Sequence, residues 1–269
     1  METPPTAPPN APPNAPPNGP LIELIDVAVS GMDVPNQVTV EGVNWRIMAE
    51  DFWVVAGLHG SGKSDLLATA AGLQPPERGR HLLFGQEPAK LGENELLALR
   101  VKVGVVFEHG GRLFNQLTLA ENIALPLCYH QNLAEADAAE TVAAMLDLIG
   151  LRAEADSLPG RVSRQARQRA ALARALMLRP EILLLDNPLH GLDPRETRWW
   201  LEMLARLAAG HPDLGGLRVT LVVTTDDVRP WLKHGRQFGC LNQRAWRALG
   251  DPEEVAASDD PFVRDLLLA

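Results

Sequence analysis

The run Gly57-Leu58-His59-Gly60-Ser61-Gly62-Lys63-Ser64 constrains this chain more than any other segment, because it fills every fixed position of a phosphate-binding loop, G-x-x-x-x-G-K-[ST]. Glycines let the backbone curl tightly enough for successive N–H groups to face one anion. Lys63 brings a cation to the outer phosphates, and the Ser64 hydroxyl is a ligand for Mg²⁺. Phe52-Trp53-Val54-Val55-Ala56 reads as a buried strand before the loop, and Asp65-Leu66-Leu67-Ala68-Thr69-Ala70-Ala71 as the helix after it. That order sets a helix N-terminus against the phosphates. The candidate nucleotide-binding set is therefore Gly57, Leu58, His59, Gly60, Ser61, Gly62, Lys63, Ser64 and Asp65.

The rest of the composition narrows the class. A chain of 269 residues can bury a full core and hold one large domain or two small ones. A net charge of −9 argues against a nucleic-acid binder driven by bulk electrostatics. Cys128 and Cys240 lie far apart in no metal-type spacing and read as reduced thiols of a cytoplasmic protein. No run of 18 or more apolar residues appears, and the N-terminus has no charged segment leading into an apolar one, so neither a membrane span nor a secretory signal is expected. Ala-Pro-Pro-Asn recurs at 7–10, 11–14 and 15–18, which predicts an extended or disordered leader over 1–20; a proline-recognition ligand is the sharper alternative.

Strand-like runs fall at 21–29, 38–47, 52–56, 81–84, 103–107, 182–186, 219–224 and 236–242. Amphipathic helical patterns fall at 64–72, 93–100, 119–127, 134–149, 163–178, 194–209 and 261–268. Strand and helix alternate on both sides of residues 108–180, which carry helical patterns and almost no strand signal. The expected fold is α/β, a nucleotide-binding core with an inserted helical subdomain.

Magnesium beside a phosphate loop takes a second, acidic contact at the end of a buried strand, and Ile182-Leu183-Leu184-Leu185-Asp186 supplies that pattern. Asp186 is thus the candidate metal contact opposite Ser64. With these motifs in order, the chain from about Leu21 onward resembles the ATPase subunits of ABC transporters. Val103–Glu108 looks like the strand leading to the Q-loop, and Leu113–Leu127 like the segment after it. Arg169–Leu176 resembles the helix after the signature motif, while Asp186-Asn187-Pro188 and Gly191-Leu192-Asp193-Pro194 resemble Walker B running into the D-loop. Gly250–Arg264 and Glu121–Leu127 look like the corresponding segments of Mla/Mce-type lipid-transport ATPases. The resemblance implies a P-loop NTPase core of ABC type over 21–269, with an N-terminal antiparallel β-subdomain and a helical subdomain at about 108–180. It also implies Mg²⁺ and ATP as cofactors, a second ATPase subunit as dimer partner, and a separate transmembrane permease holding the protein at the cytoplasmic face of the membrane. No nucleic-acid partner is implied.

Several family positions carry a different residue here. Asn187 stands where the family has the glutamate that orients or deprotonates the attacking water, and losing a positioned base typically lowers a rate on the order of 10²–10⁴-fold. Thr225 stands at the switch histidine, and Glu108 at the Q-loop glutamine, where it either ligates the metal or repels the terminal phosphate. Val162-Ser163-Arg164-Gln165-Ala166 replaces Leu-Ser-Gly-Gly-Gln; Ser163 remains available to a nucleotide held by an opposing subunit, and Arg164 reads as either a phosphate-binding or a solvated side chain. The base-stacking aromatic is missing from Val29–Asp33. His59, His109 and His190 lie near the motifs, with no partner identifiable from sequence. Two readings follow: an ATP-hydrolysing transport subunit with low turnover, or a nucleotide-gated module, including the degenerate half of a heterodimer. DNA-repair and translation cassettes, which bring second cassettes or basic extensions, and P-loop kinases fit the motif order less well.

Overall fold

The computed structural model describes residues 19–32, 37–108 and 112–268; the Ala-Pro-Pro-Asn repeats, Asp33 and His109 lie outside the described residues. Two strands that are apolar along their whole length, β3 (Phe52–Gly57) and β6 (Ile182–Leu185), are buried at every position. Strands of this kind need cover on both faces, which a parallel sheet flanked by helices provides. Accordingly β3 pairs in parallel with β7 (Thr220–Thr225) and β8 (Gln237–Asn242), and β6 lies in parallel between β7 and β5 (Val103–Val106). The alternating strands β1 (Ile22–Ser30), β2 (Val38–Ile47) and β4 (Arg78–Leu83) instead pair antiparallel. One sheet results, in the order β4-β1-β2-β9-β8-β3-β7-β6-β5, with β9 (Ala245–Gly250) joining its two parts.

Helix α1 (Lys63–Ala70) covers one face, where Leu66, Leu67 and Ala70 meet Ile22, Val43 and Leu184. On the other face α3 (Leu119–His130), α4 (Glu135–Leu148), α5 (Arg164–Leu176) and α6 (Pro194–Ala209) build the larger core around the fully buried Trp200 and Trp231. Three of these helices, α3 to α5, lie between β5 and β6 in sequence, where the helical patterns run. Helix α2 (Glu93–Arg100) precedes β5, and α7 (Pro252–Ala256) and α8 (Pro261–Leu268) close the chain. Both cysteines are free thiols.

Four elements depart from the sequence pattern. β9 and α7 are additions; β9 has no buried position, so it lacks the apolar alternation that marks a half-buried strand. β4 starts at Arg78 rather than His81, because its exposed first half is held by pairing with Ile25 and Ala28 rather than by burial. α3 continues through Pro126 to His130, carried by the packing of Ile123, Ala124 and Leu127 on the core.

Candidate functional site

The strands β3, β7, β6 and β5 are neighbours and parallel, so their C-terminal ends deliver four loops side by side. The ends of parallel strands are where α/β sheets bind ligands. β3 ends at Gly57 and turns through the phosphate-loop sequence into α1. A Cβ at Gly57 would lie 2.5 Å from Ser61 Oγ and 3.1 Å from the Leu241 carbonyl. Gly62 has φ +91°, and a Cβ there would lie 2.7 Å from Val40 Cγ2. Only glycine fits either position without moving β2 or β8.

Lys63 is 7% exposed, and its ammonium donates to the carbonyls of Gly57 at 2.6 Å and Leu58 at 2.8 Å. Burial lowers its pKa, while Asp226, Asp186 and Glu108 pull the other way. These four charged groups meet at an open cavity of about 220 Å³, together with His59, Ser64 and Asn187. The N-cap of α1 is Gly62, which offers no side-chain cap, so the first-turn N–H groups face the loop without one. Ser61 Oγ is buried and has no hydrogen-bond partner.

The corner after β6 is fixed by one hydroxyl. Thr224 Oγ1, fully buried, donates to Asp186 Oδ1 at 2.8 Å and accepts from the Asn187 N–H at 2.9 Å. Asn187 has φ +45°, a left-handed conformation that asparagine adopts more readily than most side chains. Its amide Nδ2 donates to Glu108 Oε1 at 3.4 Å.

Other predicted residues are used differently. Thr225 is buried, and its hydroxyl is engaged with the backbone of Asp227, donating to the carbonyl at 2.7 Å and accepting from the N–H at 3.1 Å. The neighbouring Asp226 faces the cavity instead, and its Oδ2 lies 3.3 Å from His190 Nδ1. Sequence reasoning passed over Asp226; its signal was an acid directly after the polar end of a buried strand. Asp65 accepts from the Met32 N–H at 2.9 Å, tying α1 to the end of β1. Ser163 caps α5 by accepting from Ala166 N–H, away from the cavity, and Arg164 donates to the His190 carbonyl at 3.0 Å. Trp199 lies under the Arg169 guanidinium at 4.0 Å, while Trp200 is core.

A triphosphate suits this set: a buried cation, an uncapped helix N-terminus and a backbone cradle that a side chain would fill. Among the described residues no three His, Cys, Asp or Glu side chains form a metal site by themselves. A magnesium held by Ser64 and Asp186 would therefore draw its remaining ligands from nucleotide and water.

The sheet, the loop and the carboxylates at its strand ends define a P-loop nucleotide-binding cassette. The ABC transporter profile matches residues 40–190, more than half of the chain, which therefore belongs to that family, in its ATP-binding domain. The chain is 34% identical over 227 residues to the probable ribonucleotide transport ATP-binding protein mkl of Mycobacterium leprae (strain TN), covering 84% of this chain and 63% of that protein. It is 29% identical over 225 residues to the intermembrane phospholipid transport system ATP-binding protein MlaF of Haemophilus influenzae, covering 84% and 83%. Among solved structures it is similar to the ATP-binding cassette MJ0796 in a dimeric, post-hydrolysis state bound to ADP and Pi, with a TM-score of 0.74, 27% identity and coverage of 85% and 98%. The chain spans only 57–63% of the length of the first curated relatives it matches. Among the described residues no helix is long and apolar enough to cross a membrane.

Proposed function

We propose that this chain binds Mg-ATP in the 57–64 loop and works as the dimerising ATP-binding subunit of a transport system, at the cytoplasmic face of a separate membrane permease. The observation that carries the reading is Lys63, buried at the head of α1 and facing Asp186, Glu108 and Asp226 across one cavity. In this reading the loop N–H groups and Lys63 hold the phosphates, Ser64 and Asp186 hold the magnesium, and Ser163 serves a nucleotide on the opposing subunit. We assign residues 1–20 as a leader and 108–180 as the helical subdomain. The permease is assigned to the surface around α2 and α3, where Leu97, Phe114 and Tyr129 are exposed large apolar side chains. Phospholipid is the cargo class we favour, because the relative named for it matches over most of its own length.

A second reading has one specific observation in its favour. With Thr225 turned inward, its hydroxyl engages its own loop rather than the cavity, as expected of a nucleotide-gated module with little turnover. Binding of Mg-ATP to the full chain and to Lys63→Ala, measured by calorimetry, tests the common core of both readings. Wild type is expected to bind at least ~10-fold more tightly; equal affinities would sink both. Steady-state turnover then separates them, since the second reading requires almost none.

A further inference from the structure

Arg164 occupies the position of α5 where a cation is least favoured. It is the first residue of the helix, and no acidic side chain stands in that first turn to offset it. Its Nε is buried without a hydrogen-bond partner, which adds a desolvation cost. What offsets both lies 26 residues away, where the guanidinium donates to the His190 carbonyl at 3.0 Å. Gly191 makes that approach possible: its φ is +66°, and a Cβ there would lie 3.0 Å from a terminal nitrogen of Arg164. The turn held in this way is the one that leaves β6. It bends at Asn187, φ +45°, and again at Gly191, and the His190 N–H donates back to the Asn187 carbonyl at 3.1 Å. Parallel pairing of β6 with β7, Leu185↔Val223, brings this turn beside the end of β7. There His190 Nδ1 lies 3.3 Å from Asp226 Oδ2. Nδ1 carries a hydrogen in one neutral tautomer and in the imidazolium alike, so the ring needs no particular charge to donate. Asp226 is one of four carboxylates at the nucleotide cavity, with Asp65, Glu108 and Asp186, and Lys63 opposes them. Arriving phosphates therefore meet negative charge unless it is offset.

We propose that Arg164 is a positioning residue for the nucleotide: it grips the His190 carbonyl, keeps the imidazole on Asp226, and so turns part of that carboxylate's charge away from the phosphates. The proposal rests on the nucleotide reading above. It gives Arg164 a task within its own chain rather than on a phosphate held by an opposing subunit. The two tasks separate by protein concentration. A grip within one chain acts at every concentration, whereas a phosphate arm acts only in the dimer.

The test is the Mg-ATP Kd of the full-length chain, measured by calorimetry below and above the concentration at which it dimerises. Arg164→Ala is expected to weaken binding about fivefold at both concentrations, the scale of one partly exposed charge pair. Arg164→Lys keeps a donor and is expected to stay within about twofold of wild type. Asp226→Asn removes the charge to be covered, so adding Arg164→Ala to it is expected to change Kd by less than about twofold. His190→Ala is expected to match Arg164→Ala, and the two together to lose no more than either alone. If Arg164→Ala does not fold, His190→Ala with and without Asp226→Asn makes the same test. Wild-type affinity in Arg164→Ala or His190→Ala overturns the proposal. So does an undiminished loss in the Asp226→Asn background, because damage to the fold does not depend on the charge at that position. A loss confined to the dimer overturns it in favour of a phosphate arm on the opposing subunit. Each of these leaves the nucleotide reading standing, whereas a wild-type chain that binds no nucleotide overturns both.

Discussion

His81 is 5% exposed beside Gly72 and Pro88, and its Nε2 has no hydrogen-bond partner. Burial pushes its pKa from 6.5 down to about 4, with the Ala70 backbone working weakly against that shift. Between those two values the unfolded chain binds a proton that the folded chain refuses. Stability contributed by the neutral ring is therefore complete above about pH 6.5 and is lost as the pH falls to about 4, by roughly 3 kcal/mol. Urea unfolding of wild type and His81→Leu at pH 7 and pH 4.5 should show a steeper loss in wild type; equal losses would refute the assignment. The same scale separates what the sequence could and could not reveal at the site. Asn187, Thr225 and Glu108 were visible as unusual residues at motif positions. Their partners were not, because Asn187 and Glu108 are 79 residues apart and Thr224 and Asp186 are 38 apart. A hydroxyl shared between Asp186 and the Asn187 N–H leaves no local trace in sequence.

Among the elements, β3 and β6 were legible because a wholly apolar run is itself the signal of a strand covered on both faces, and β7 because threonines flank its apolar Leu221–Val223 centre, a β-branched pattern that strands favour. β9 was not, since it is held by antiparallel pairing with β8 and carries exposed residues such as Arg247 and Ala248. Contacts between helices were equally hidden. Arg169 of α5 makes a forked pair with Glu196 of α6 at 2.8 and 2.9 Å and donates to the Ile149 carbonyl at 3.1 Å. The two side chains are 16% and 19% exposed, and the guanidinium lies 4.0 Å from the Trp199 ring. A pair this enclosed differs from a surface ion pair: removing one partner strands a partly desolvated charge. Arg169→Ala should lower unfolding free energy by about 3 kcal/mol. The double variant Arg169→Ala/Glu196→Ala should regain part of that loss, because the stranded carboxylate is gone. Strictly additive losses in thermal melts would mean that the pair is not coupled.

Across the whole molecule, the nucleotide loop depends on a junction far from it in sequence. The antiparallel strands meet the parallel ones through β2 and β9, joined in register at Glu41↔Ala245. The seam is filled by aromatic rings: Trp246 lies 4.9 Å from Trp45 and 6.2 Å from Trp53, and its Nε1 donates to the Asn44 carbonyl at 3.1 Å. Gly239 makes room for it, since a Cβ there would sit 2.4 Å from the indole. β2 in turn carries Val40, the side chain against which Gly62 of the phosphate loop packs. Loosening the seam therefore reaches the loop through β2 without touching a residue proposed to hold phosphate. Trp246 is partly buried, so Trp246→Ala should remove about 2 kcal/mol, less than a fully buried tryptophan would. If opening is confined to the antiparallel part, amide exchange in β1, β2 and β4 should accelerate by ~30-fold while β6 and β7 keep their protection. Nucleotide affinity should weaken along with it. Uniform acceleration across all nine strands would instead mean that the sheet opens as one unit and that the seam is no hinge.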